Sequence, residues 1–209
     1  MCNTKEQTYW ILFIIILSFH IVVLSLCLLS GLKLLDLSVI GITDYVFRYI
    51  RRIFLGTTFL TTLFLIYIKK DYKKDILKTE ILFSFSLPPF LDTLGNFCGW
   101  YDINNILKFL WYDDIVHFLV PIFISFGFYR YFQRIKRLSM KLSLLLSATL
   151  TLTLSSLWEI YEYWSDRLTG TEMVKGGLDD TILDLSMGLL GVFLFSLYIF
   201  FVKGKSLKD

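Results

Sequence analysis

Long apolar stretches separated by short charged bursts dominate the pattern along the chain. A helix that crosses the hydrocarbon core needs about 20 mainly apolar residues, and polar residues at its ends can lie at the membrane interface. The stretches without Asp, Glu, Lys or Arg are 7–32, 53–68, 81–91, 115–129, 142–158 and 185–202. Helices satisfy their own backbone hydrogen bonds in lipid, so the pattern predicts six of them, at about 8–30, 48–68, 76–96, 113–132, 140–165 and 180–202.

Three of these segments carry further expectations. Pro88 and Pro89 should kink or end the third helix. Residues 36–52 are consistent with an amphipathic segment on the outer surface. The first stretch is too long for a signal peptide and no small-residue cleavage site follows it, so we expect a mature helix.

Composition narrows the class of protein. The 209 residues are 56% hydrophobic and 19% charged, and the mean hydropathy is +0.63. These values exclude a disordered chain, a disulfide scaffold and an ordinary soluble enzyme. We therefore expect an all-α, polytopic transmembrane bundle in which residues 1–209 form a single integral membrane domain. Its partner is the lipid bilayer, and we expect no nucleic acid.

The charges predict an orientation. With the N-terminus inside, 14 of the 21 Lys and Arg residues lie in inner segments. The positive-inside rule thus favours an orientation with both termini in the cytoplasm. We expect the protein to lie in the inner or plasma membrane of the cell. Of the 18 acids, 13 then lie on the outer side, and 11 of these fall between Asp92 and Asp184. Topology does not explain this skew of the acids.

The outer acids gather at helix ends. Asp113 and His117 are four residues apart at the start of the fourth helix, so they share a face. Glu159 and Glu162 stand near the end of the fifth helix, Asp180 and Asp184 stand at the start of the sixth, and Asp92 is near the end of the third. The sequence predicts a site on the outer side whose metal ligands are Asp113, His117, Glu162, Asp180 and Asp184.

Carboxylates and an imidazole suit a divalent ion such as Mg²⁺, Mn²⁺, Ca²⁺ or Zn²⁺. The preferred hypothesis is a metal-dependent hydrolase or transferase that acts on a lipid or a lipid-linked phosphate. Asp114 and Glu159 are the candidate catalytic acids or bases. The candidate substrate-binding residues are Asp92, Arg48, Arg51 and Arg52, the arginines because they suit a phosphate.

Other interpretations stay open. Asp113, Asp114, Asp179 and Asp180 stand at helix N-termini, where a carboxylate caps free N–H groups. That explanation does not extend to Glu159 and Glu162 at a helix C-terminus. The same acids are also consistent with a cation- or proton-coupled transporter, or with a structural protein whose polar cap is held by salt bridges.

Two features inside the helices have structural explanations. His20 stands alone in the first helix, and we expect a packed or interhelical hydrogen-bonding histidine. Gly188 and Gly191 in the sixth helix are expected to permit close helix approach.

Four blocks together resemble a known family. They are residues 92–96, 111–118, 158–164 and 177–184, followed by Gly188. Their order and spacing resemble the YjdF-like family of bacterial inner-membrane proteins, which is distantly similar to VanZ-like proteins. The resemblance covers about residues 90–195, and Tyr163 replaces the Trp of the family pattern. It implies a small multi-pass membrane protein and supplies no reaction.

Overall fold

The computed structural model describes residues 4–36, 45–69, 76–102, 111–170, 173–174 and 176–205. In these residues the chain is helical and no strand occurs. The six helices are α1 (Thr4–Gly31), α2 (Tyr45–Lys69), α3 (Ile76–Phe97), α4 (Tyr112–Arg130), α5 (Met140–Thr169) and α6 (Leu178–Lys205). A 3-10 turn, Trp100–Asp102, follows α3, and a π-helical turn, Tyr131–Ile135, extends α4. The predicted all-α class and six helices are confirmed.

Length and composition confirm the membrane character. The helical segments of the described chain that are long and apolar enough to cross a bilayer are Gln7–Gly31, Tyr112–Ile135, Met140–Leu168 and Leu178–Val202. α2 carries a shorter apolar stretch, Ile53–Leu65, and α3 intersperses Ser, Thr, Asn and Asp among its apolar residues. Large apolar side chains such as Ile15, Leu145 and Phe193 are more than half exposed, as lipid-facing residues are.

Two local expectations can be compared with the structure. α3 reaches Phe97, close to the predicted end at residue 96, so Pro88 and Pro89 do not end it. Apolar side chains of α3 such as Leu82 pack against α1 and α2, and the expected kink stays a prediction. Tyr45–Arg52 forms the first turns of α2 instead of a separate surface segment. Residues 37–44 of that predicted segment lie outside the described residues.

The chain forms two compact units, Met1–Lys108 and Phe109–Asp209. The single domain expected from the sequence stays a prediction, since two units of three helices can belong to one membrane domain.

In the first unit, His20 is fully buried on α1. Its Nδ1 lies 2.9 Å from the Ile16 carbonyl oxygen, and its Nε2 lies 3.0 Å from the Pro89 carbonyl oxygen and 3.0 Å from Thr93 Oγ1. The expected interhelical histidine is confirmed.

In the second unit, α4 packs most extensively against α6. A Cβ added at Gly191 would overlap the backbone carbonyl oxygen of Phe118 on α4, so the helices approach closely only because this residue is glycine. At Gly188 an added Cβ would lie 3.6 Å from Ser155 Oγ, an ordinary contact. Close approach is therefore confirmed at Gly191, while Gly188 leaves room for one more carbon.

A hydroxyl pair joins α4 to α5. Ser125 Oγ donates to Thr151 Oγ1 over 3.0 Å, and both residues are fully buried. Further along α4, Tyr129 packs with Phe195 and Ile199 of α6. These contacts fix the three helices of the second unit against each other and so fix the ends that carry its acids.

Candidate functional site

The acidic ends of α4, α5 and α6 converge on one histidine. His117 lies one turn into α4, Glu159 and Glu162 lie in the last three turns of α5, and Asp184 lies in the second turn of α6. Asp113, one turn before His117 on α4, completes the group. We call these five residues, Asp113, His117, Glu159, Glu162 and Asp184, the His117 cluster.

The imidazole of His117 has a carboxylate at each edge. Its Nδ1 lies 3.4 Å from Glu159 Oε1. Its Nε2 lies 3.5 Å from Asp113 Oδ1 and 3.9 Å from Asp184 Oδ2. One helix thus supplies the ring and one acid, and two other helices supply the remaining acids.

Most of these acids are removed from solvent. Glu159, Glu162 and Asp184 are 6%, 4% and 2% exposed, while the side chain of Asp113 is 24% exposed. Within the described structure, Glu159 Oε1 and Asp184 Oδ2 are buried and have no hydrogen-bond partner. Leaving a buried polar atom unsatisfied costs about 1–3 kcal/mol, and more for a charged group. Both atoms lie beside one imidazole, in an arrangement that a bound cation or a proton would satisfy.

The donor atoms of the cluster form two overlapping groups of ligand size. In one group, Asp113, His117 and Asp184 each offer an atom, and the three atoms lie within 4.8 Å of one another. In the other, His117, Glu159 and Glu162 do the same. His117 belongs to both groups because its two ring nitrogens face different carboxylates.

Two predicted site residues of the second unit lie outside these groups. Asp114 is buried and its Oδ2 accepts a 2.7 Å hydrogen bond from the backbone N–H of Trp111, just before α4 begins. This is the capping geometry that the sequence left open as an alternative to a catalytic role. Asp180 lies one turn before Asp184 on α6 and is not among the grouped donors.

The predicted substrate-binding residues all belong to the first unit. Asp92 lies on α3, where its Oδ1 accepts hydrogen bonds from Asn96 Nδ2 at 3.2 Å and from the Tyr101 hydroxyl at 3.3 Å. Arg48, Arg51 and Arg52 lie on the first turns of α2, and their side chains are outside the described part of the structure. A phosphate-binding role for the arginines stays a prediction.

Sequence reasoning missed a residue that positions the cluster. Asp166, near the end of α5, accepts hydrogen bonds from the backbone N–H groups of Met173 (2.8 and 3.1 Å) and Val174 (2.9 Å). Its own carbonyl accepts the N–H of Gly170, which ends the helix with φ +65°. Asp166 therefore ties the end of α5 to Met173 and Val174, which lie in the connection that leads to α6. Gly170, a residue type that commonly ends helices, was the available signal for the turn, and nothing in the local sequence singles out Asp166.

The basic groups near two of the buried acids, Glu159 and Asp184, bear on the predicted salt-bridged cap, which stays a prediction. Among the described residues, His117 is the basic group that lies within ion-pair distance of Glu159 and of Asp184, and no Lys or Arg does. The guanidinium of Arg167, on the same helix as Glu159, instead lies 5.4 Å from the centre of the Tyr163 ring. One imidazole carries at most one positive charge, so it does not neutralise both acids.

Fold and site define a class: a multi-pass, all-helical membrane protein with a buried acidic–histidine cluster in its C-terminal unit. The chain belongs to the family described as Predicted membrane protein (DUF2238), whose match covers residues 25–205 and includes all of the His117 cluster. The YjdF-like and VanZ-like resemblances stay predictions.

A relative and the known structures add little about activity. An uncharacterized protein of Thermotoga maritima is 30% identical over 119 residues, which cover 56% of this chain and 58% of the relative. The chain thus matches less than two thirds of that relative's length. No solved structure matches the chain.

Proposed function

We propose that the protein binds a divalent metal ion in the His117 cluster and uses it as a hydrolase or transferase on a lipid or lipid-linked substrate. The observation that carries the proposal is the pair of unsatisfied carboxylate oxygens, Glu159 Oε1 and Asp184 Oδ2, that flank His117 from two other helices. A bound cation offsets carboxylate repulsion and replaces the missing partners.

The spacing of the donors supports a shared ion. Metal–nitrogen and metal–oxygen bonds of about 2.0–2.2 Å around a tetrahedral ion place neighbouring donors about 3.4 Å apart. The ring nitrogens of His117 lie 3.4–3.9 Å from the nearest carboxylate oxygens. These distances are too long for good hydrogen bonds, and small side-chain movements bring them to those of a ligand shell.

The substrate class follows from the surroundings of the cluster. Trp158, Tyr161 and Trp164 are exposed on α5, next to Glu159 and Glu162. Exposed Trp and Tyr residues at the end of a membrane helix mark the level of the lipid headgroups. An ion at that level would activate water and polarise a phosphoryl oxygen of a substrate embedded in the bilayer.

Metal analysis of the detergent-purified protein tests the binding step. We expect the wild type, after chelation and dialysis against Mg²⁺, Mn²⁺, Ca²⁺ or Zn²⁺, to retain about one equivalent of one of these ions. The triple variant Asp113→Asn/Glu159→Gln/Asp184→Asn removes acids on both edges of His117 and should retain none. Ser186→Ala, an exposed position on α6, is the control. A wild type without a stoichiometric ion would refute the proposal.

The same proteins test the enzymatic step. Metal-loaded wild type, incubated with a bacterial lipid extract in mixed micelles, should change at least one phosphate-containing lipid class by mass spectrometry. The triple variant and chelated wild type should not. Ion binding without such a change would reduce the proposal to a cation-binding membrane protein.

We also propose that the cluster faces the outer side of a cell membrane, which the skew of Lys and Arg supports. In a cysteine-free background, a membrane-impermeant maleimide should label Lys175→Cys, between α5 and α6, in intact cells. Lys136→Cys, between α4 and α5, should be labelled only after permeabilisation. The reverse pattern would place the cluster in the cytoplasm.

A further inference from the structure

The two edges of the His117 ring differ in a way that assigns roles to the acids around it. Nε2 faces Asp113 and Asp184, from α4 and α6. Nδ1 faces Glu159, which is grouped with Glu162, both from α5. The assignment that follows rests on the proposed metal site.

The two ring nitrogens of a metal-bound histidine have different roles. A neutral histidine that binds an ion through one nitrogen carries its proton on the other, and that N–H is almost always donated to a carboxylate, a carbonyl or water. The acceptor fixes the tautomer and the orientation of the ring. One edge of His117 therefore holds ligands, and the other holds an orienting acceptor.

An accessible carboxylate distinguishes the edges. The Nε2 edge pairs Asp113, which is 24% exposed, with the buried Asp184, whereas both acids of the Nδ1 edge, Glu159 and Glu162, are buried at 6% and 4% exposed. An ion that arrives hydrated reaches the edge with the accessible carboxylate first and exchanges its water there. Asp113 and His117 also lie four residues apart on one helix, so this edge presents two donors on a single rigid element.

We propose that the ion binds at the Nε2 edge, with His117, Asp113 and Asp184 as ligands, and that Glu159 is a positioning residue. In this arrangement the Nδ1–H of His117 donates to Glu159 Oε1, which is now 3.4 Å away and unsatisfied. Glu159 then acts on the ion through the ring and not by direct contact. Glu162, which offers an atom within 4.8 Å of the donor atoms of His117 and Glu159, is not a ligand in this arrangement.

Titration with Co²⁺ as a spectroscopic probe tests this assignment, since its visible absorption reports the ligands. The variants are Asp113→Asn, Glu159→Gln and Glu162→Gln, each checked for thermal unfolding in detergent. We expect Asp113→Asn to weaken binding more than about 100-fold and to change the spectrum, because a ligand is lost. Glu159→Gln still accepts from Nδ1–H, so binding should weaken by about 10–100-fold with the wild-type spectrum kept. Glu162→Gln should also keep that spectrum.

The alternatives give different results. If Glu159→Gln or Glu162→Gln changes the spectrum while Asp113→Asn preserves it, the ion lies at the Nδ1 edge and the assignment is overturned. If variants on both edges change the spectrum, ligands lie on both edges, and the assignment is again overturned. Wild type that binds neither Co²⁺ nor any other divalent ion would instead defeat the proposed function itself.

Discussion

Replacing His117 with alanine is expected to abolish divalent-ion binding and also to destabilise the ion-free protein. The ring is the one donor shared by both ligand groups, so its loss removes the site whichever edge the ion occupies. It also leaves Glu159 and Asp184, 6% and 2% exposed, without their basic neighbour. Leaving a buried polar group without a partner costs about 1–3 kcal/mol, and more where the group is charged. Metal analysis and thermal unfolding in detergent measure the two effects.

The variant His117→Gln separates the loss of ion binding from the loss of stability. Its amide N–H groups can still donate to one of the carboxylates, so this variant should recover part of the stability while it still fails to hold the ion. An alanine variant that binds the ion with wild-type stoichiometry would contradict the central role of the ring. Equal stability of wild type and His117→Ala without metal would show that the ring does not neutralise the acids.

Substituting Gly191 with valine is expected to have the second large effect, although this residue is not part of the cluster. The first added carbon meets the backbone carbonyl oxygen of Phe118, which cannot rotate away. α4 and α6 must separate, at a cost of at least about 1–3 kcal/mol. Phe118 follows His117 on α4 and Gly191 lies two turns after Asp184 on α6, so the separation also pulls these two donors apart. We expect the ion affinity to fall at least about 10-fold.

Gly188→Ala is the matched control on the same face of α6. Its added carbon would lie 3.6 Å from Ser155 Oγ, 3.7 Å from Pro121 Cγ and 3.8 Å from the His117 carbonyl oxygen, all ordinary contacts. Stability and ion affinity should stay near those of the wild type. If Gly191→Val behaves in the same way as this control, the close approach of α4 and α6 is not what sets the distance between His117 and Asp184.

The helices could be predicted because lipid imposes a simple rule on sequence. Charge-free stretches mark their centres, and once polar residues at the membrane interface are added, the structure begins and ends each helix within a few residues of the predicted bounds. α1 is the clearest case, since residues 7–32 contain no charge and the helix ends at Gly31. The predicted span 76–96 agrees with α3, although Pro88 and Pro89 alone favour a break, and packing against α1 and α2 outweighs the local cost of proline.

The sequence identifies that acids converge near His117, but it does not decide which of the neighbouring acids take part. The four-residue spacing of Asp113 and His117 and the unusual acids at the end of α5 identify the convergence. Sequence alone does not separate Asp113 from Asp114, which are adjacent on the chain but about 100° apart around the helix. Only the fold directs one towards His117 and the other back to the N–H of Trp111. The contribution of Asp166 depends on a loop conformation, which its local sequence suggests only weakly.

The hydrogen bonds of Asp166 have a consequence for how the protein would respond to the proposed ion. They close the connection between α5 and α6 with the backbone N–H groups of Met173 and Val174, and no ion takes part in them. The conformational entropy of bringing the two helix ends together is thus lost during folding and not during binding. A site preorganised in this way would load and release the proposed cation without refolding, so that its occupancy would follow the concentration of the ion outside the protein.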